Sequence, residues 1–149
     1  MVYFANSSRN LLLAGALAIS AVGMLPMFAQ AADATATLSA ASEVPPNSST
    51  ATGTLEASVN PASNLLTWTV TYSGLTGAAT GGHFHGPAMA GANAGVVVPL
   101  NGSLASPIKG SATLTATQMA ELMAGRWYVN LHTAAHPGGE IRGQLMVKP

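Results

Sequence analysis

The stretch "LLTWTVTY" (65–72) alternates without interruption. Leu66, Trp68, Val70 and Tyr72 fall on one side of an extended chain, and Thr67, Thr69 and Thr71 on the other. Apolar residues at period two, with β-branched polar residues between them, describe a strand with one face in a core. A helix would need period 3.6. The same texture continues on both sides. "DATATLSA" (33–40) and "STATGTLEASV" (49–59) precede it, separated by an irregular crossing at "EVPPN", because proline cannot donate to a ladder. "NPASN" (60–64) reads as a turn. Further strands are predicted at 80–85, 96–100, 108–115, 126–133 and 140–147.

One segment breaks the pattern. In "TATQMAELMAG", Thr115 and Gln118 have the spacing of a capping box, Met119, Leu122 and Met123 share a helical face, and Gly125 stops the run. The sequence therefore predicts an all-β protein, an antiparallel Greek-key-like sandwich or barrel of about eight strands, with one short helix over about 116–124.

The chain has 149 residues, of which 7% are charged, and its formal net charge is zero. That balance gives no electrostatic basis for binding nucleic acid. Arg9, the apolar run at 11–25, Pro26 and the A-x-A at 29–31 form the pattern of a secretory signal peptide cleaved after Ala31. The expectation is residues 1–31 as leader and 32–149 as a single exported domain, secreted or periplasmic, with no membrane association after cleavage. With no cysteine, the domain must hold together by its core alone.

The four histidines lie in two short stretches, "GGHFHGPAMAGANAG" and "NLHTAAHPGGE". Strand parity sends Phe84 inward and His83 and His85 outward. In "RWYVNLHT", Trp127, Val129 and Leu131 form the inner set and Tyr128, Asn130 and His132 the outer one. In "EIRGQLMV", Glu140, Arg142 and Gln144 share the outer side. If the HFH strand neighbours the NLHT strand, His83, His85 and His132 converge on one polar surface. Three neutral imidazoles suit copper, or alternatively zinc, at about 2.0 Å from each nitrogen. His136, in the hairpin loop, is either a further ligand or an exposed turn residue. Tyr128, Asn130, Glu140 and Arg142 are candidates for orienting the ligands, with an ion pair between Glu140 and Arg142. The competing reading has the histidines bracing glycine-rich loops by bonding to backbone carbonyls. A lone aspartate, Asp33, argues against calcium.

"LSAASEVPPN", "GGHFHGPAMAGANAG" and "AGRWYVNLHTAAHPGGEIRGQL" together resemble the CHRD domain, over about 34–147. The resemblance implies an exported module, found in animals within an extracellular growth-factor antagonist. A partial resemblance is to copper/zinc superoxide dismutase: an H-x-H strand, a later strand with one histidine, a glycine-rich turn and an arginine. It implies His83 and His85 as paired copper ligands, His132 as the late ligand, and Arg142 near the anion-guiding arginine. The chain lacks that family's cysteines and any counterpart of its zinc loop, so the implied site is mononuclear. Three functions follow as expectations: a copper- or zinc-binding protein of metal handling, a non-catalytic module that binds another exported protein or matrix, and a dismutase-like oxidoreductase.

Overall fold

The first hairpins form where the alternation is cleanest. Strands β1 (Ala32–Ser39), β2 (Thr52–Asn60) and β3 (Leu65–Ser73) pair antiparallel in an unbroken register. Asn64, at φ 56, supplies the left-handed residue that closes the second hairpin. The remaining elements are β4 (Ala79–His85), β5 (Val96–Pro99), β6 (Ile108–Thr113), α1 (Ala116–Met123), β7 (Tyr128–Thr133), β8 (Ile141–Gln144) and β9 (Met146–Lys148). This computed structural model describes residues 1–2 and 31–148. The signal peptide read at 1–31 lies almost wholly outside the described residues.

The strands join in the order β5-β4-β7-β8-β1-β2-β3-β6, with β9 paired to β1. The sheet is antiparallel and curls into a nearly closed barrel. Trp68 of β3 meets Phe84 of β4 edge-on, with ring centroids 5.1 Å apart, although the two strands are far apart in the sheet order. Trp127 continues the aromatic stack, 6.3 Å from Phe84. Around these rings pack Leu38, Leu55, Leu66, Val70, Leu131 and Ile141, all buried. Gly110 and Gly86 lie directly against the two indoles, where a Cβ would collide.

The helix forms with the capping box intact. Gln118 donates its backbone N–H to the Thr115 hydroxyl, and its side-chain oxygen accepts from the Thr115 N–H. Gly125, at φ 69, ends it. Strand and helix ends shift by one or a few residues from the sequence reading, and two of the differences have a clear cause. β2 starts at Thr52 rather than 49, because Ser49 belongs to a loop whose hydroxyl is engaged elsewhere. The expected strand at 140–147 is two strands broken at Leu145. There the Leu145 N–H donates to Trp127 O at the end of the β7 pairing, and β9 continues on β1 alone.

Parity is as expected: Trp127, Val129, Leu131 and Phe84 are fully buried. The expectation of an open polar surface on the opposite side is corrected. Tyr128, Asn130, Arg142 and His85 on that side are 3%, 3%, 2% and 8% exposed. The segment after β4 folds back across them. Arg142 donates to Asn93 Oδ1 and Ala92 O, and Tyr128 Oη exchanges hydrogen bonds with the Ala94 backbone. A glycine-rich loop can lie this close to a sheet because it brings little side-chain bulk.

Candidate metal centre

Strands β4 and β7 are neighbours, the condition on which convergence depends. His85 stands opposite Tyr128, His83 opposite Asn130, and His132 opposite Gly81. His83 and His132 are thus diagonal neighbours on one face. Gly81 leaves open the space above it, and both rings lean there: a Cβ on Gly81 would lie 3.4 Å from His83 Cε1 and 3.6 Å from His132 Cδ2. One ring nitrogen from each of His83, His85 and His132 lies within 4.8 Å of the others. His83 Nδ1 is 3.2 Å from His132 Nε2. Nitrogens bound at about 2.0–2.1 Å to one ion stand roughly 3–4 Å apart. His83 Nδ1 and His132 Nε2 already stand at that spacing.

The hydrogen bonds fix which nitrogens are available. His85 Nδ1 is 3.0 Å from Ala94 O, and His132 Nδ1 is 2.9 Å from Pro137 O. A carbonyl only accepts, so in each neutral ring Nδ1 carries the proton and Nε2 the lone pair. Metal-binding imidazoles are commonly oriented this way, with the non-ligating N–H held by a carbonyl or carboxylate. Loop bracing and chelation are therefore not alternatives: His85 and His132 each brace a loop with one nitrogen and present the other to the cluster. Burial, together with the neighbouring imidazoles, holds His83 below the usual histidine range. Burial also lowers His132, against the raising effect of its bond to Pro137 O. Both effects keep the rings neutral, as a metal ligand must be.

The stack continues sideways. The Tyr128 ring lies parallel to His85, with centroids 4.8 Å apart, and the Arg142 guanidinium sits over the Tyr128 ring at 3.3 Å. Asn130 Oδ1 is 3.0 Å from both His85 Nε2 and His132 Nε2.

One sequence expectation is corrected. Glu140 does not pair with Arg142. It precedes β8, and its fully buried carboxylate accepts from Ser49 Oγ, Thr76 N, Thr76 Oγ1 and Thr133 Oγ1. Burial pushes this carboxyl up, but the four donors outweigh it and bring it down to about 2. Gln144 also serves structure, donating to Ala88 O and Gly125 O. His136 is outside the cluster; its backbone forms the β7–β8 turn.

Sequence reasoning missed Glu43. It lies in the proline-bounded crossing after β1 and is 5% exposed. Burial raises its carboxyl, while the charge of Arg142 and the Asn130 amide lower it. Its only sequence signal was an acidic residue between apolar and proline neighbours in a chain with five acids. Nothing local shows which strand it will face.

A family model for the CHRD domain matches residues 34–145. The chain belongs to the CHRD family. The match spans β1 to the residue after β8, so the histidine cluster, the covering loop and the Glu43 crossing all lie within the CHRD domain. No curated protein and no solved structure matches the chain, and the likeness to copper/zinc superoxide dismutase is not shown by these comparisons.

Proposed function

We propose that this CHRD domain binds one copper ion, or less favourably zinc, through His83, His85 and His132, and serves metal handling outside the cytoplasm after export. The observation that carries the reading is the convergence of three ring nitrogens within 4.8 Å, two of them set as lone-pair donors by backbone carbonyls. Three neutral nitrogens form a borderline donor set, and the affinity order of divalent ions places Cu(II) first among equally available metals. The leader-like N-terminus supports export.

The test is metal titration of the purified protein followed by elemental analysis. Wild type is expected to retain about one equivalent of Cu(II), and a His83→Ala/His85→Ala variant none. Equal uptake by the two proteins rejects chelation at this face. Superoxide consumption by the copper-loaded protein that disappears in His132→Ala would move the assignment to a redox enzyme.

A further inference from the structure

Asn130 occupies a peculiar place in the cluster. It is 3% exposed, on β7 between the histidine strand and Arg142. Its Oδ1 is 3.0 Å from two imidazole nitrogens, His85 Nε2 and His132 Nε2. The bonds from Nδ1 to Ala94 O and Pro137 O make both of those nitrogens lone-pair atoms in the neutral rings. Three acceptors therefore face one another. A neutral His83 offers one proton, from Nδ1 to His132 Nε2 at 3.2 Å; among the described residues no donor lies between His85 Nε2 and Asn130 Oδ1. Lone pairs crowded at this distance in a buried place are unfavourable unless a cation lies among them.

The other end of the amide explains its orientation. Asn130 Nδ2 and the Glu43 carboxylate flank the Cα of Gly139, which has φ +132 and no room for a Cβ against either group. Glu43 Oε1 is buried with no hydrogen-bond partner. A carboxylate only accepts, so the amide turns its NH2 towards Glu43 and its oxygen towards the imidazoles. Glu43 also sets a buried carboxyl where it feels the positive charge of Arg142, on the Asn130 side of the cluster.

We infer that Asn130 Oδ1 is a fourth ligand of the metal held by His83, His85 and His132, and that Glu43 is the positioning residue that aims it. The inference rests on the chelation reading above. An oxygen 3.0 Å from two nitrogen donors has the separation of adjacent ligands about 90° apart on an ion with bonds of about 2.1 Å. The resulting donor set is three nitrogens and one amide oxygen.

Cobalt(II) titration tests this, because its visible d–d bands report ligand type and number. Wild type is expected to bind one Co(II), with bands absent from His83→Ala/His85→Ala. In Asn130→Ala the bands should shift and affinity should fall about tenfold or more; Asn130→Asp, which keeps an oxygen and adds a negative charge, should hold the wild-type band pattern and bind more tightly than wild type. Glu43→Gln, whose own NH2 can turn the Asn130 amide around, should weaken binding on the order of tenfold, the scale of lost outer hydrogen bonds. Circular dichroism of the metal-free variants identifies any that fail to fold; if Asn130→Ala is one, the isosteric Asn130→Asp carries the test through higher affinity with a retained band pattern. Unchanged bands and affinity in Asn130→Ala, or in Asn130→Asp where it stands alone, overturn the fourth ligand and leave the histidine site standing. Failure of wild type to bind Co(II) and Cu(II) overturns both.

Discussion

Single residues around the cluster do sharply different work. Gly139 holds φ +132 and touches both Glu43 and Asn130 where a Cβ would be. Gly139→Ala combines backbone strain with a clash against groups that cannot retreat into solvent. We expect a loss of about 2 kcal/mol or more in denaturant unfolding, with weakened metal binding. Glu140 is a knot of another kind, tying the loops at Ser49 and Thr76 to the end of β7 through four hydrogen bonds. Its folded pKa, about 2, is below the ordinary carboxyl value of 4.5. The unfolded chain therefore takes up the proton first on acidification. The contribution of Glu140 is complete above the unfolded value and drains away as pH falls from there through about 2. Glu140→Gln should flatten that limb of the stability–pH curve and cost about 2 kcal/mol at neutral pH, since a buried hydroxyl loses its acceptor.

At the scale of elements, the strands were legible because each has one face against the core. Leu66, Trp68 and Val70 in β3 and Trp127, Val129 and Leu131 in β7 could be assigned to the interior by counting. The capping box of α1 was legible because its bonds are local. The neighbourhood of β4 and β7 was not legible, since long connections carry no register. Nor was the covering of their outer side, because the loop at 86–95 has few side chains to advertise a contact. Glu140 was misread for a related reason: it looks like the i−2 partner of Arg142, but the chain before β8 has not yet taken up strand geometry. Arg142 instead fastens the loop, through Asn93 Oδ1 and Ala92 O, while lying over Tyr128. Arg142→Met should release the loop and leave Glu43 without its compensating charge. The expected signs are faster amide hydrogen exchange at Gly86, Ala88 and Ala94 and a destabilisation of about 2–4 kcal/mol. Unchanged exchange at those amides would show that the loop is held by its own backbone contacts.

For the molecule as a whole, the histidine cluster bridges parts of the chain that the core joins only indirectly. His83 and His85 lie on β4, the carbonyl partner of His85, Ala94, in the covering loop, and His132 with Pro137 at the β7–β8 turn. Because the chain has no cysteine, an ion shared by these segments would add a strong cross-link that no disulfide supplies. A ligand that binds the folded state alone stabilises it by mass action, about 2.7 kcal/mol at a free concentration one hundred times its Kd. For a domain of this length that corresponds to a rise in Tm of roughly 10 °C. We expect Cu(II) to produce such a rise in wild type and none in His83→Ala/His85→Ala. The pH dependence follows from His83 and His132, both held below the ordinary imidazole value of 6.5 in the fold. The unfolded chain takes up their protons first, so metal-free stability should decline as pH falls through about 6.5 and level off once the folded rings also protonate. The copper-induced rise should outlast an ordinary imidazole, persisting near pH 6 and vanishing by about pH 4, where protons displace the metal from the rings. A rise in Tm that is the same at pH 7 and about pH 4 would place the copper on carboxylates or backbone instead of imidazole.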